Sequence, residues 1–540
     1  MRNMSDGQRA VIQALENSDI MNVVIRCLTP DPLVEAEADR RAWLRRRIAQ
    51  KTLARTARTC RAFKNPALDM LWRSVDDIVH LLSIFPSFVP TAKNRNDHTF
   101  RRSITKDEWL HFEEYASRVR ELRVKGDTFS MEPSVWSVLA RHCCPEGALV
   151  PRCERLLNFH IADPFAWTAL AVLVESPNLR HLEIDTTEYS GASTETLQML
   201  VSELTPIFSR LETLSLGVPW DVEDQPESPI PFWEYSNLQS LSVNPSVRVT
   251  RSIMRSLMDF PNLRSLSLAL VDVEHGDQTL EDGFHQLKEL TLSGMADRVH
   301  TLMQAVSPPC LETITVHFDV HLPQVHSERM KELVQRIYET LAPSVREVHL
   351  AFESGYIPAE YILFATATGL LSPLRDRNLR ALTFHFHNHF THILDHELQE
   401  VAQTWPELTA FEFTYNADIR DHLAYGKESL ARIATPTIPT IAAFAAAHPH
   451  LERLALPHLN ARVIPPLGEI ELEHPLQTFA VAYHEASVPL CAAALAIDRL
   501  FPSLDMPEGE ELEPYSKLQL LLLGMQTMRR SATHTLHPEE

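Results

Sequence analysis

The stretches PNLRSLSL (Pro261–Leu268) and QLKELTL (Gln286–Leu292) decide the fold. Both read L-x-x-L-x-L, and the second half alternates apolar and polar residues, the period of a strand. Working outward, the phrase precedes them as PNLRHLEI (Pro177–Ile184), RLETLSL (Arg210–Leu216) and NLQSLSV (Asn237–Val243). It follows as CLETITV (Cys310–Val316), SVREVHL (Ser344–Leu350), NLRALTF (Asn378–Phe384), ELTAFEF (Glu407–Phe413), HLERLAL (His450–Leu456) and PLQTFAV (Pro475–Val481). RVRELRV (Arg118–Val124) and a distorted CERLLNF (Cys153–Phe159) extend the series toward the N-terminus.

The anchors Leu214, Leu241, Leu266, Leu290 and Ile314 stand 24 to 27 residues apart, and later spacings stretch to 34 and once to 43. Between them lie amphipathic patterns such as Glu195–Phe208 and Ser327–Ala342, which predict helices. A strand and helix recurring at this period is the pattern of a leucine-rich repeat. One such unit cannot bury its apolar side alone, whereas stacked units share a continuous core. A doubly wound α/β domain also alternates strand and helix, but its strands are near-continuous apolar runs and carry no recurring phrase. The expectation is therefore an α/β solenoid, a curved array of eleven to thirteen parallel strands from Leu122 through Phe479 with helices outside. The stretch Pro489–Leu504 reads as its last packed helix. After an acidic break, Tyr515–Arg530 reads as a capping helix and Ser531–Glu540 as a disordered tail.

Alternation also assigns faces. The fourth and sixth positions point to the core, so the fifth points to the concave face. That column holds Glu183, Ser215, Ser242, Ser267, Thr291, Thr315, His349, Thr383 and Glu412. Its hydroxyls could hydrogen-bond a polypeptide laid across them, although small β-compatible residues also suit an exposed parallel sheet. His385 and His387 share the same strand face. With Ser215, Ser242, Ser267, Thr291, Thr315, His349 and Thr383 they form the expected target-binding set. The run His385–Glu397 could suggest a metal, since His392 and His396 stand at i, i+4. The apolar positions Phe384 and Phe386 place His385 and His387 on the binding face instead, and no metal is expected.

Composition narrows the function. A formal net charge of -21 disfavours phosphate backbones as partners, so no nucleic acid is expected. Seven scattered cysteines without a C-x-x-C pair suggest neither a disulfide framework nor zinc. With 14 glycines and no clustered phosphate-cradling loop or G-x-S-x-G, no enzyme and no cofactor are expected. The N-terminus lacks a signal-peptide core and no window reaches the ~18–20 apolar residues of a membrane span. A cytoplasmic or nuclear protein is the expectation.

The first ninety residues carry no L-x-x-L-x-L. Ser18 and Asp19 offer N-cap oxygens, after which Ile20, Val23, Val24 and Cys27 fall on one face. A basic helix follows over Arg40–Phe63. From Arg40 to Lys64 there are ten Lys or Arg residues and no acid. Lys64-Asn65-Pro66 reads as a turn with proline opening a new helix, Ala67–Phe85.

The stretch TLARTARTCRAFKNPALDMLWRS (Thr52–Ser74) resembles the second half of an F-box, as found in fungal F-box-like proteins with leucine-rich repeats. Leu53, Ala57, Cys60, Phe63, Leu68, Leu71 and Trp72 stand at its motif positions. The later repeats and AAALAIDRLFPSL (Ala492–Leu504) resemble that family too. The chain departs from it in lacking the Leu-Pro that opens the first F-box helix, and Thr29–Gln50 reads as an insertion. The resemblance implies three parts: a helical module (1–90), a leucine-rich-repeat solenoid (91–505) and a C-terminal cap (506–540). It implies a substrate-recognition subunit of a cullin–RING ubiquitin ligase. Ile20, Val23, Val24, Leu53, Cys60, Phe63, Leu68, Leu71 and Trp72 would bind the acidic adaptor, and the repeats an unknown target protein. The basic helix suits an acidic partner. The other reading is a repeat scaffold without ligase coupling, its helical region only capping the array.

Overall fold

Apart from the distorted Cys153–Phe159, each L-x-x-L-x-L phrase that the structure describes forms a strand whose fourth and sixth residues are buried, while the third and fifth are less so. Leu182 and Ile184, Leu214 and Leu216, Leu266 and Leu268, and Ile314 and Val316 are all almost fully buried. The computed structural model describes residues 18–30, 40–91, 97–124, 131–132, 134–143, 147–160, 166–185, 210–217, 237–249, 251–273, 283–306, 308–320, 327–354, 365–387, 391–415, 435–464, 474–484, 490–504 and 517–536. The chain divides into two units, Met1–Ser246 and Val247–Glu540.

The first unit opens with helices α1 (Ser18–Arg26), α2 (Arg40–Thr56) and α3 (Arg61–Trp72). Its sheet contains β1 (Ser74–Val75), β2 (Glu121–Arg123), β3 (Arg155–His160), β4 (His181–Asp185), β5 (Thr213–Gly217) and β6 (Ser240–Val249). These pair in parallel and in chain order. Between β1 and β4 lie α4 (Ile78–Leu82), α5 (Lys106–Ala116), α6 (Ser134–Cys143) and α7 (Ala166–Val174). The start of α5 follows from its sequence. The Thr105 hydroxyl accepts the Glu108 N–H, and the Glu108 carboxylate accepts the Thr105 N–H, a reciprocal cap.

The second unit continues the pattern with β7 (Ser265–Val273), β8 (Glu289–Gly294), β9 (Thr313–Val320), β10 (Glu347–Ser354), β11 (Ala381–Phe386), β12 (Ala410–Tyr415), β13 (Arg453–Leu459) and β14 (Thr478–His484). Again the order is sequential and the pairing parallel. A doubly wound sheet reverses its strand order at a switch point. Neither unit does so, and this sequential packing is solenoid-like. Helices α8 (Arg251–Met258), α9 (Ala296–Ala305), α10 (Ser327–Thr340), α11 (Ala367–Leu371), α12 (Asp395–Thr404) and α13 (Ile438–Ala447) lie between the strands in sequence. The predicted helix at Ser327–Ala342 is α10, whereas Glu195–Phe208 lies outside the described residues.

A backbone ladder links successive repeats. The carbonyl of the residue after each first-position apolar residue accepts two N–H groups from the next repeat. Arg264 O accepts from Lys288 and Glu289, Lys288 O from Glu312 and Thr313, and Glu312 O from Arg346 and Glu347. The same ladder starts earlier than the phrases suggest. Arg73 O accepts from Arg120 and Glu121 at 2.8 and 2.9 Å, and Ser74 and Val75 pair with Glu121 and Leu122. The array thus begins at Ser74, not Leu122, and the predicted helix Ala67–Phe85 is interrupted. Its first half belongs to α3, a strand follows, and Asp77 then caps α4 by accepting the Val79 N–H. Pro66 lies inside α3 rather than in a turn before it. The basic helix ends at Thr56, and α3 starts at Arg61.

The distorted phrase Cys153–Phe159 has a visible cause. The β3–β4 register shifts between Leu156 and Phe159, and Asn158 takes φ 47°. Asparagine tolerates this left-handed conformation better than most residues.

At the other end α14 (Leu490–Leu500) and α15 (Lys517–Leu536) pack together, with Leu518 and Leu522 fully buried. Asp498 on α14 accepts from Gln526 at 2.8 Å and pairs with Arg529. Burial pushes the Asp498 carboxyl above its ordinary range, while Arg529 and Gln526 oppose that shift. The predicted cap is present, but its helix runs on through Leu536 into the stretch expected to be disordered. Among the described residues no helix is long and apolar enough to cross a membrane.

Candidate functional site: two candidate interaction surfaces

The first surface is the helical module. Its core is Ile25, Leu53 and Ala67, with Leu28, Ala57, Phe63, Met70 and Leu71 packed against it. On α1 the buried pair is Met21 and Ile25, four residues apart and so on one face. Val23 and Val24 lie on the outer side of the helix, 63% and 50% exposed. Of the other residues assigned to adaptor binding, Leu53 is buried, Cys60 is exposed, and Phe63, Leu68, Leu71 and Trp72 are partly buried. The Ile20 side chain lies outside the described residues. Trp72 stands apart from the core cluster, meeting Tyr115 of α5 edge-on with ring centroids 5.2 Å apart.

Helix α2 is held by charge. Arg46 is only 2% exposed; its guanidinium donates to Asp76 at 2.5 and 2.8 Å and to the carbonyl and hydroxyl of Ser74 at 3.1 Å. Gln50 also donates to Asp76, at 3.0 Å. This ties α2 to the beginning of the sheet. With Arg46 turned inward, Trp43, Leu44 and Ile48 remain exposed, Ile48 at 64%. The Arg47 guanidinium carbon lies 5.5 Å from the Trp43 ring centre, a cation–π contact. The exposed basic residues Arg47, Lys51, Arg55, Arg58, Arg61 and Lys64 complete a mixed apolar and cationic surface.

The second surface is the polar face of the sheet. In the first unit Glu183, Ser215 and Ser242 stand in one register row. In the second unit Ser267, Thr291, Thr315, His349, Thr383 and Glu412 form a continuous row. All nine are partly exposed, while their strand neighbours on the opposite face are buried.

Next to that row lie His317, His385 and Thr414. The His385 and His387 ring centroids are 4.5 Å apart, and His385 Nδ1 is 2.8 Å from the Thr414 hydroxyl. Burial pushes the His349 and His385 imidazoles below the ordinary histidine value. Glu347 and Glu412 counter this at His349, and Glu353 does so at His385. His317 Nδ1 is 3.6 Å from Glu353. The sequence reading missed His317 and Glu353, which the next positions along the same strands could have supplied.

His392 is buried in a two-residue strand beside Ala365–Thr366, and His396 is exposed on α12. His389 lies outside the described residues. Among the described residues no group of three His, Cys, Asp or Glu side chains could hold a metal. Burial drives the Cys153 thiol up to about 12, so it stays protonated and unreactive at neutral pH. No protein-family model matches the chain, and no curated protein matches it.

Proposed function

We propose that this chain is the substrate-recognition subunit of a cullin–RING ubiquitin ligase, with no catalytic step of its own. The helical module docks an acidic adaptor, and the polar sheet face holds the target protein. The observation that carries this reading is the exposure of Val23, Val24, Trp43, Leu44 and Ile48 on two short helices beside a dense set of cations. A module that only closed the array would turn such side chains inward, and exposed apolar groups rimmed by polar ones mark interaction surfaces. Apolar anchors with complementary charge around them suit an acidic protein partner. The row of hydroxyls and histidines lacks arginine, which favours an unmodified polypeptide over a phosphate-rich one.

The test is direct binding of the purified adaptor to the full chain. The wild type should form a stable complex, and Val24→Asp with Ile48→Asp should abolish it. Both side chains are exposed, so the melting temperature should not change. Absence of a complex with the wild type, or full binding by the folded double variant, overturns the ligase reading.

A further inference from the structure

Where α1, α3 and the first turns of the array meet, the first unit holds a cavity of about 420 Å³. Five arginines line it: Arg26, Arg73, Arg118, Arg120 and Arg152. The one carboxylate in the lining is Asp69, and it is already paired with Arg118. We propose that this cavity binds a small anion carrying two or more phosphate groups.

The backbone explains the convergence. Arg73 and Arg120 occupy the same position in the first two rungs of the ladder, so their side chains emerge beside one another. Like charges also meet at Arg264 and Lys288 and at Arg346 and Arg380, while other rungs set unlike charges together. Arg180 pairs with Glu212 at 2.9 Å and Lys288 with Glu312 at 2.7 Å. Arg73 has no such neighbour at the next rung.

Two of the five cations are fixed in place. Arg118 also donates to the Glu114 carbonyl at 3.1 Å. Arg120 reaches the Arg152 carbonyl at 3.3 Å and Glu154 at 3.4 Å. Among the described residues the side chains of Arg26, Arg73 and Arg152 have no hydrogen-bond or ion-pair partner. Burial lowers the Arg120 pKa, and repulsion from Arg152 and Arg73 adds to this while Glu154 and Asp69 oppose it. The cluster therefore stores like-charge repulsion that a bound anion would relieve.

The ligand class follows from shape and charge. A guanidinium fork matches phosphate oxygens in pairs, which a lysine cannot do. A single monovalent anion would leave most of the positive charge unmet. The volume falls within the ~300–1,000 Å³ of small-molecule sites. In a chain with a net charge of -21, three clustered arginines without a carboxylate partner, Arg26, Arg73 and Arg152, stand against the overall field.

The experiment is titration calorimetry of the full chain with inorganic tripolyphosphate, and with sulfate for comparison, at fixed ionic strength. Saturable one-to-one binding of tripolyphosphate is expected, with sulfate markedly weaker. Arg73→Gln with Arg152→Gln should weaken tripolyphosphate by about tenfold or more, a loss of at least ~1.4 kcal/mol. Both arginines are exposed, and a melting curve checks that the variant stays folded. Arg73→Lys with Arg152→Lys keeps the charge but loses the fork and should fall between. Arg375→Gln, in the other unit, should bind as the wild type does. No saturable binding, or equal affinity in the folded double glutamine variant, overturns the proposal.

Discussion

His474 uses its two ring nitrogens in opposite senses. Nε2 donates to the His448 carbonyl at 2.9 Å, while Nδ1 accepts the Leu476 N–H at 3.2 Å. Only a neutral imidazole can do both. His448 itself is fully buried and donates from Nδ1 to the Phe444 carbonyl at 2.8 Å. Burial pushes His349, His385, His392 and His448 below the ordinary histidine value of 6.5. The unfolded chain takes up protons at these sites near 6.5, before the folded chain does. Their contribution to stability is thus complete above pH 6.5 and is lost as pH falls through the lowered folded values. The melting temperature should drop between pH 7.5 and 5.5, and calorimetry at the two pH values checks this. A flat or rising profile would contradict it. At this scale the sequence was only partly legible. Five of the six residues from Ile20 to Ile25 are apolar, so periodicity alone could not choose between the Val23–Val24 face and the Met21–Ile25 face. Packing against α3 made that choice.

At the scale of elements, α2 depends on one buried cation. Asp76→Ala would leave the Arg46 guanidinium without its carboxylate partner. Breaking a buried pair costs about 3–5 kcal/mol, and solvent at the partly exposed Asp76 reduces this to roughly 2–4 kcal/mol. Chemical denaturation should show that loss. Gln50→Ala, which removes only a hydrogen bond to Asp76, should cost less, about 1 kcal/mol. A loss under 1 kcal/mol for Asp76→Ala would mean that α2 is held by something else. The strands after Arg118 were legible because each repeats an apolar–polar alternation that few other structures produce. Strand β1 was not. Its rung keeps apolar residues only at Trp72 and Val75, and the sixth position is Asp77, which is committed to capping α4. A two-residue strand leaves too little pattern to separate it from the helices on either side.

Across the whole molecule, the repeats are held together by contacts between neighbours. Phe318, Phe352 and Phe386 stack in register across β9, β10 and β11, with centroids 5.1 and 5.0 Å apart. Phe352→Ala should cost about 3–5 kcal/mol. In a linear array that loss stays near its origin. Hydrogen exchange should accelerate in β9, β10 and β11, while β2, β3 and β4 keep their protection. Uniform acceleration throughout would instead mean that the chain unfolds as one cooperative body. The order of the strands could be read in advance because connections in a repeat run to the adjacent unit. The arginine-lined cavity could not, since its five cations come from separate segments that only folding brings together. The carbonyl ladder has a further consequence for biosynthesis. Each rung offers its two-acceptor oxygen to the residues that follow it in the chain, never to those before. As the polypeptide leaves the ribosome, every newly emerged segment of either unit finds its docking edge already made. Assembly can then keep pace with translation, one repeat at a time, with no early segment left waiting for a late one.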